Sequence, residues 1–202
     1  MFGTLVKKLL KRDDDPYWDT FINRPLADPK NLVLDVITGS PGGGVFTPKI
    51  DVHDTKAMAG HIVQLTKFFG ADSVGVIATD PRWVREDEEK LPAPGEIAAV
   101  YPYTIVSLAH WEYDAANNKG MGGQLGRQKV AAAHFHLRSY LREIGFDAVF
   151  AYPSTPQIFV AAGLATSVSG DRIITRQFGD KVATETLVLT NLPMIPTAGP
   201  WR

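Results

Sequence analysis

The sequence predicts an α+β domain preceded by an extended arm. Two observations predict this class. Apolar residues recur at helical spacing over 54–69 and 125–144, and short apolar runs of strand length lie between and after these stretches. The last two runs, 172–178 and 182–190, follow one another across Gly179-Asp180 with no helix between them, as in a hairpin. A doubly wound parallel sheet would place a helix there.

Taken in order, residues 1–12 form a short amphipathic turn, with Phe2, Leu5 and Leu9 beside Lys7, Lys8, Lys11 and Arg12. Three acids and Pro16 stop it. Residues 13–50 carry Pro16, Pro25, Pro29, Pro41 and Pro48 and the loop Gly39–Gly44, a composition that predicts an extended arm. Its apolar residues (Trp18, Phe21, Leu26, Leu32, Leu34, Val36, Ile37) are expected to lie against the chain's own domain or against a second copy, as a homodimer. The expected division is therefore an arm over 1–50 and a domain over 51–202.

Asp54-Thr55 caps a helix in which Met58, Ile62, Leu65, Phe68 and Phe69 share spacing, and Gly70 ends it. Ser73–Thr79 reads as a buried strand, Asp80–Trp83 as a turn, and Thr104–Ala109 as a second strand. His110 to about Gly123 reads as a loop. The longest helix, Leu125–Ile144, puts Val130, His134, Leu137 and Leu141 on one face, with Gly145 as its stop. Ala148–Ala151 is a short strand. Thr155-Pro156 starts a helix with Ile158, Phe159 and Ala162 inward. The final strand is read as one alternation, Val182, Thr184, Thr186, Val188 and Thr190 against Ala183, Glu185, Leu187 and Leu189.

Composition narrows the function classes. The 202 residues suffice for a real core, and a net charge of −1 supplies no basic field for nucleic acid. The chain has no cysteine, which excludes disulfides, thiolate metal sites, Cys-ligated iron–sulfur clusters and a thiol nucleophile. No apolar run approaches the roughly 18 residues of a membrane span, and the first residues lack the apolar stretch of a secretory signal. A cytoplasmic location is the expectation.

Four passages carry a family resemblance over about 55–196. Gly70–Val76 followed by Asp80-Pro81-Arg82-Trp83-Val84 resembles a first strand and its Asp-Pro-Arg-Trp-Val turn. Tyr103–Ala109 resembles the second strand. Ser139–Val149 resembles a helix end of the form Ile-Arg-x-Leu-Gly-Tyr-x-Ala. The run Ala161–Pro196 has the same order of Ala-Gly-Leu, small-residue loop, Ile-Ile-Thr, Phe-Gly turn, strand and Asn-Leu-Pro. Together they resemble the cobalamin-binding domain of reductive dehalogenases, related to epoxyqueuosine reductases and the cobalamin-trafficking protein, without the iron–sulfur module.

The resemblance implies a nitroreductase-like fold, an antiparallel-rich sheet flanked by helices. It implies cobalamin as the small-molecule cofactor, used in reductive chemistry with a separate electron-transfer protein as partner or else bound for cofactor handling. The cofactor would meet Gly163, Leu164, Ala165, Thr166, Ser167, Ser169 and Gly170, then Ile174 and Phe178. Small residues let a broad ring approach the backbone, and hydroxyls can bond its amide arms. The chain departs from the family at Ala165–Asp171, where most of the usual glycines and an Arg are missing. It departs again at Arg127, which stands where the dehalogenases carry a proton-donating Tyr; a guanidinium stabilises an anion but does not donate its proton. The acid is then sought in His110 or Tyr113, with Tyr103 and Asp114 beside them, against the simpler reading that His110, Trp111 and Tyr113 only pack over the sheet edge. The expected catalytic set is Arg127, Tyr113 and His110.

Other residues offer less. His134 and His136 project about 200° apart on a helix and cannot share a metal, so His134 is expected to be packed and His136 solvated. Arg138 is read as a surface residue of its helix. Arg82 and Trp83 lock their turn. No metal site is expected. Gly39–Gly44 lacks the Lys-Ser/Thr of a phosphate loop, and no G-x-S-x-G elbow is present. Two other functions stay open. One is an FMN enzyme on the same scaffold, with Arg127, Lys129, Arg172 and Arg176 near the phosphate. The other is a non-catalytic interaction subunit whose arm wraps a partner.

Overall fold

The computed structural model describes residues 32–85, 91–111, 121–170 and 172–197. In chain order these form α1 (Leu32–Gly39), α2 (Thr55–Phe68), β1 (Ser73–Ala78), a 3-10 turn (Pro81–Trp83), α3 (Ile97–Val100), β2 (Tyr103–His110) and α4 (Met121–Glu143). They continue as β3 (Ala148–Ala151), α5 (Gln157–Ala161), β4 (Ser167–Ser169), β5 (Arg172–Ile174), β6 (Val182–Ala183) and β7 (Leu187–Thr190). The class is α+β, as the sequence predicts. The main sheet runs β1-β2-β7-β3 with every neighbouring pair antiparallel, and β6 pairs with the end of β2.

The sheet is buried on both faces. On one, Val74, Val76, Ile105 and Val188 pack with Ile62 and Val63 of α2 and Leu137 and Leu141 of α4. On the other, Ile77, Val106, Leu108, Leu187 and Leu189 meet Ile158 and Phe159 of α5, with Leu164 and Ile173. Alternation along each strand assigns these sides. The side chain of Asp54 caps α2 by accepting from the Lys56 and Ala57 N–H groups, both at 2.9 Å. The face expected on α4 is intact: Val130, His134, Leu137 and Leu141 are all fully buried.

Several boundaries differ from the sequence reading. Residues 32–39 are helical rather than extended, because Leu34 buries itself while α1 packs on α4. The helix α4 begins at Met121, taking in glycines that read as loop. His110 is the last residue of β2 rather than a loop residue. Arg138 is not a surface residue: it is 6% exposed, donates to the Ser40 carbonyl at 2.9 Å, and lies 3.8 Å over the Phe150 ring. It helps to bind residues 40–50 along the end of α4. There the Phe46 N–H donates to the Arg142 carbonyl at 2.8 Å and the Ile50 N–H to that of Ile144 at 3.1 Å. Gly145 is required at this crossing, since its φ is +90° and a Cβ would fall 2.5 Å from the Lys49 Cα.

The largest difference is at the expected final hairpin. β5 pairs with β4, not with the strand that follows, and the chain turns within Thr175–Gly179. The expected single strand 182–190 is split in two. Between Ile105↔Val188 and Ala109↔Ala183, β2 advances four residues while its partner advances five. One extra residue is therefore accommodated in 184–186, which is a β-bulge. It reverses the facing of everything before it: Val182 packs with Leu187 and Leu189, whereas Val188 packs on the opposite side. In an unbroken strand Val182 and Val188 would share a face.

Candidate functional site

The bulge changes where side chains point. Glu185 and Thr186, consecutive in sequence, both reach α4: Glu185 to Arg127, and Thr186 to His134. A regular strand would send them to opposite faces. Arg127 grips Glu185 with two groups, Nη2 to Oε1 at 3.0 Å and Nε to Oε2. This fork-to-fork pairing fixes the guanidinium in direction as well as position. Arg127 is 45% exposed and Glu185 12%, so the cation is oriented from a carboxylate largely removed from solvent.

The start of α4 lies close to the sheet here. A Cβ on Gly126 would meet the Ala183 Cβ at 2.8 Å and the Trp111 ring at 3.3 Å. Beside it, the His110 ring stacks on Phe178, with centroids 4.5 Å apart and planes 18° from parallel. The His110 N–H donates to the Asp72 carboxylate at 2.7 Å, and the Trp111 N–H to the Lys181 carbonyl at 3.3 Å. Thus His110 from β2, Phe178 from the turn after β5, Arg127 from α4 and Glu185 from the bulge belong to one end of the sheet. Tyr113 and Asp114 lie outside the described residues. Tyr103 starts β2, at the opposite end of that strand from His110.

The small-residue loop divides between core and surface. Leu164 and Ala165 are buried with Phe159, Ile173 and Val182. Thr166, Ser167, Ser169 and Gly170 are exposed, and Ile174 and Phe178 are half-buried. The loop contains β4, held to β5 by a ladder and by the Thr166 N–H and Oγ1, which both donate to the Ile174 carbonyl at 2.8 and 3.0 Å. Gly163, with φ of +70°, turns the chain out of α5 into this hairpin.

A second constellation has the spacing of a nucleophile and base without the access. His134 Nε2 is 2.8 Å from Ser107 Oγ, and its Nδ1 is 2.9 Å from Thr186 Oγ1. All three residues are 0% exposed, and the third member is a hydroxyl rather than a carboxylate. Burial pushes the imidazole down to about 3, partly opposed by a hydrogen bond to Thr186. A neutral ring has one N–H and one bare nitrogen, so one hydroxyl accepts and the other donates. This is a structural node.

Sequence reasoning missed Glu185 and the role of Thr186. The one available signal was the polar run Thr184-Glu185-Thr186 inside an otherwise apolar strand. Among the described residues, no three His, Asp or Glu side chains gather to hold a metal. His53 faces Asp51 at 3.6 Å, and His61 Nε2 is 3.0 Å from the Tyr140 hydroxyl. Among the same residues, no helix is long and apolar enough to cross a membrane.

No family model matches the chain, and no curated protein sequence does. Solved structures do. The catabolic reductive dehalogenase NpRdhA superimposes with a TM-score of 0.64 at 19% identity, over 84% of this chain and 26% of the dehalogenase. A structure described as suggesting a mechanism for B12-dependent dehalogenation gives 0.62 at 19%, over 83% and 26%. An epoxyqueuosine reductase and a nitroreductase family protein from Clostridium novyi NT also match, at 0.49 and 0.41, with 14% and 12% identity. They cover 72% and 82% of this chain, and 48% and 86% of their own. The dehalogenase neighbours are of the group that the sequence resembles, and the chain spans about a quarter of the length of the dehalogenases whose fold it shares.

Proposed function

We propose that the chain is a corrinoid-binding protein built on a reductive-dehalogenase-like fold, with cobalamin lying against the 163–171 loop, the 173–178 segment and the start of α4. The observation that carries this reading is the convergence of separate stretches at one end of the sheet. His110 and Phe178 stack there, and Glu185 aims Arg127 beside a close crossing at Gly126.

The residues fit such a group. Thr166, Ser167 and Ser169 present a rim of exposed hydroxyls for amide arms, and Gly170 lets the backbone approach. The Thr184 hydroxyl in the bulge is buried with no partner among the described residues, a polar atom of the kind that a ligand or ordered water satisfies. At Arg127 the guanidinium is already paired with the Glu185 carboxylate and does not donate its proton, so His110 remains the group suited to supply one.

Bound cobalamin would contribute a reducible cobalt centre, and since these 202 residues hold no cysteine for a cluster, its electrons would come from outside them. Phe178 and His110 would wall the ring on one side, and Leu164 and Ala165 would anchor the hydroxyl rim to the core. The test is spectral. Protein incubated with hydroxocobalamin and passed over a gel-filtration column should keep a corrin band at one equivalent per chain. A colourless protein fraction overturns the proposal, and a yellow one with flavin absorbance from expression points to FMN instead.

A further inference from the structure

The strand β1 leaves the sheet before β2 ends. Their register stops at Ser73↔Leu108; Asp72 donates its own N–H to the Leu108 carbonyl at 2.9 Å, and Ala71 turns away to the Thr66 carbonyl at 3.2 Å. His110, two residues further along β2, therefore has no β1 backbone opposite it. On its other side β6 pairs with Ala109 and His110, and the Trp111 N–H donates to the Lys181 carbonyl. Backbone groups alternate in direction along an antiparallel strand, so the His110 N–H and C=O point the opposite way, to the edge that β1 has left. There the Asp72 carboxylate accepts the N–H at 2.7 Å, and the Lys129 ammonium lies 3.5 Å from the carbonyl. A side chain stands in for a strand that has ended.

The imidazole depends on this support because it has none of its own. Among the described residues no hydrogen bond reaches either ring nitrogen of His110, and the ring is held by its stack on Phe178. A positioned histidine is ordinarily oriented through the hydrogen bond of one nitrogen. Here the direction of the ring follows from the backbone that carries it, and β6, two residues long, grips that backbone from one side only. A strand end held on one side frays. We propose that Asp72 is a positioning residue: its carboxylate holds the His110 peptide in the line of β2, so that the imidazole is presented to the site against Phe178. A carboxylate that accepts a backbone N–H makes a charge-assisted bond, about twice as strong as a neutral one.

The use of that histidine as a proton source rests on the corrinoid reading; the positioning does not, and its test needs no cofactor. In isotope-labelled apoprotein, the ring current of Phe178 displaces the His110 ring-proton resonances, and Phe178→Leu identifies their undisplaced position. Asp72→Ala removes the acceptor from an exposed site. It should move those resonances towards that position and quicken solvent exchange of the His110 amide by about tenfold or more. Amides within the ladder of β1 with β2 should keep their rates, which separates a local release from a general loss of stability. Asp72→Asn keeps a carbonyl acceptor and should restore both signals. His110 ring resonances unchanged in Asp72→Ala overturn the proposal. Equal losses in Asp72→Asn and Asp72→Ala overturn it too, since they assign the effect to charge rather than to the hydrogen bond. Hydroxocobalamin retention is read separately: a colourless wild-type fraction removes the ligand and leaves the positioning result standing.

Discussion

The two faces of the sheet are built differently. The face towards α2 and α4 is covered by long helices whose apolar positions recur at regular spacing, and its core is continuous from Ala59 to Met194. The face towards α5 is covered by a five-residue helix, a hairpin of three-residue strands and a turn. The candidate site sits where the elements are short and small residues reach the surface. The bulge is where the two sides communicate: Glu185 and Thr186 reach α4, while Leu187 packs with the α5 side.

The largest predicted difference between the faces is in truncation. Leu137→Ala, fully buried beneath α4, should cost about 2–5 kcal/mol by urea unfolding. The same truncation at half-buried Ile174 should cost clearly less. Equal losses would break the distinction.

Acid should act through His134. The unfolded imidazole titrates near 6.5 and the folded one at about 3, so below 6.5 the unfolded state takes up a proton that the native state does not. Stability conferred by the neutral ring is complete above that pH. It falls as pH drops, by up to about 1.4 kcal/mol per unit, until about pH 3. Unfolding free energies of wild type and His134→Asn, compared between pH 8 and 5, should differ in slope; parallel profiles would remove His134 as the source.

At the helix end, Asp54→Ala removes the side-chain acceptor for two N–H groups of α2 and should lower stability by about 1 kcal/mol, measured as a shifted denaturation midpoint. Smallest in stability is Thr166→Val on the exposed hydroxyl rim, where the lost bond to the Ile174 carbonyl is worth about 0.5 kcal/mol. Its effect should appear instead as weaker corrin retention. A variant that retains the corrin fully while Leu137→Ala also does so would move the ligand away from this rim.

Much of the scaffold was legible because its signals are local. Asp54 as a cap, Gly70 and Gly145 as stops, and Val130, His134, Leu137 and Leu141 as a face follow from hydrogen-bonding capacity, conformational freedom and the 3.6-residue period. The family order of motifs anticipated the structural neighbours. The site was legible only in pieces. His110, Phe178 and Arg127 were each singled out, but nothing local says that the first two stack or that the third is paired. Arg138 looked like a surface cation because its burial comes from residues 40–50, nearly a hundred positions away. Tyr113 falls among residues about which the structure says nothing.

By itself, the sequence determined that helices and strands form, roughly where, and which of their faces are apolar, since those choices are made within a few residues of chain. Only the tertiary structure decided the strand pairing around the site. A bulge adds one residue to one strand without any local requirement for it, and its position is set by partners on other elements. Here two of its residues meet Arg127 and His134 of α4. An apparently unbroken alternation at 182–190 is in fact two strands, and both Glu185 and Thr186 face α4, because facing along a strand depends on the count of residues from its register.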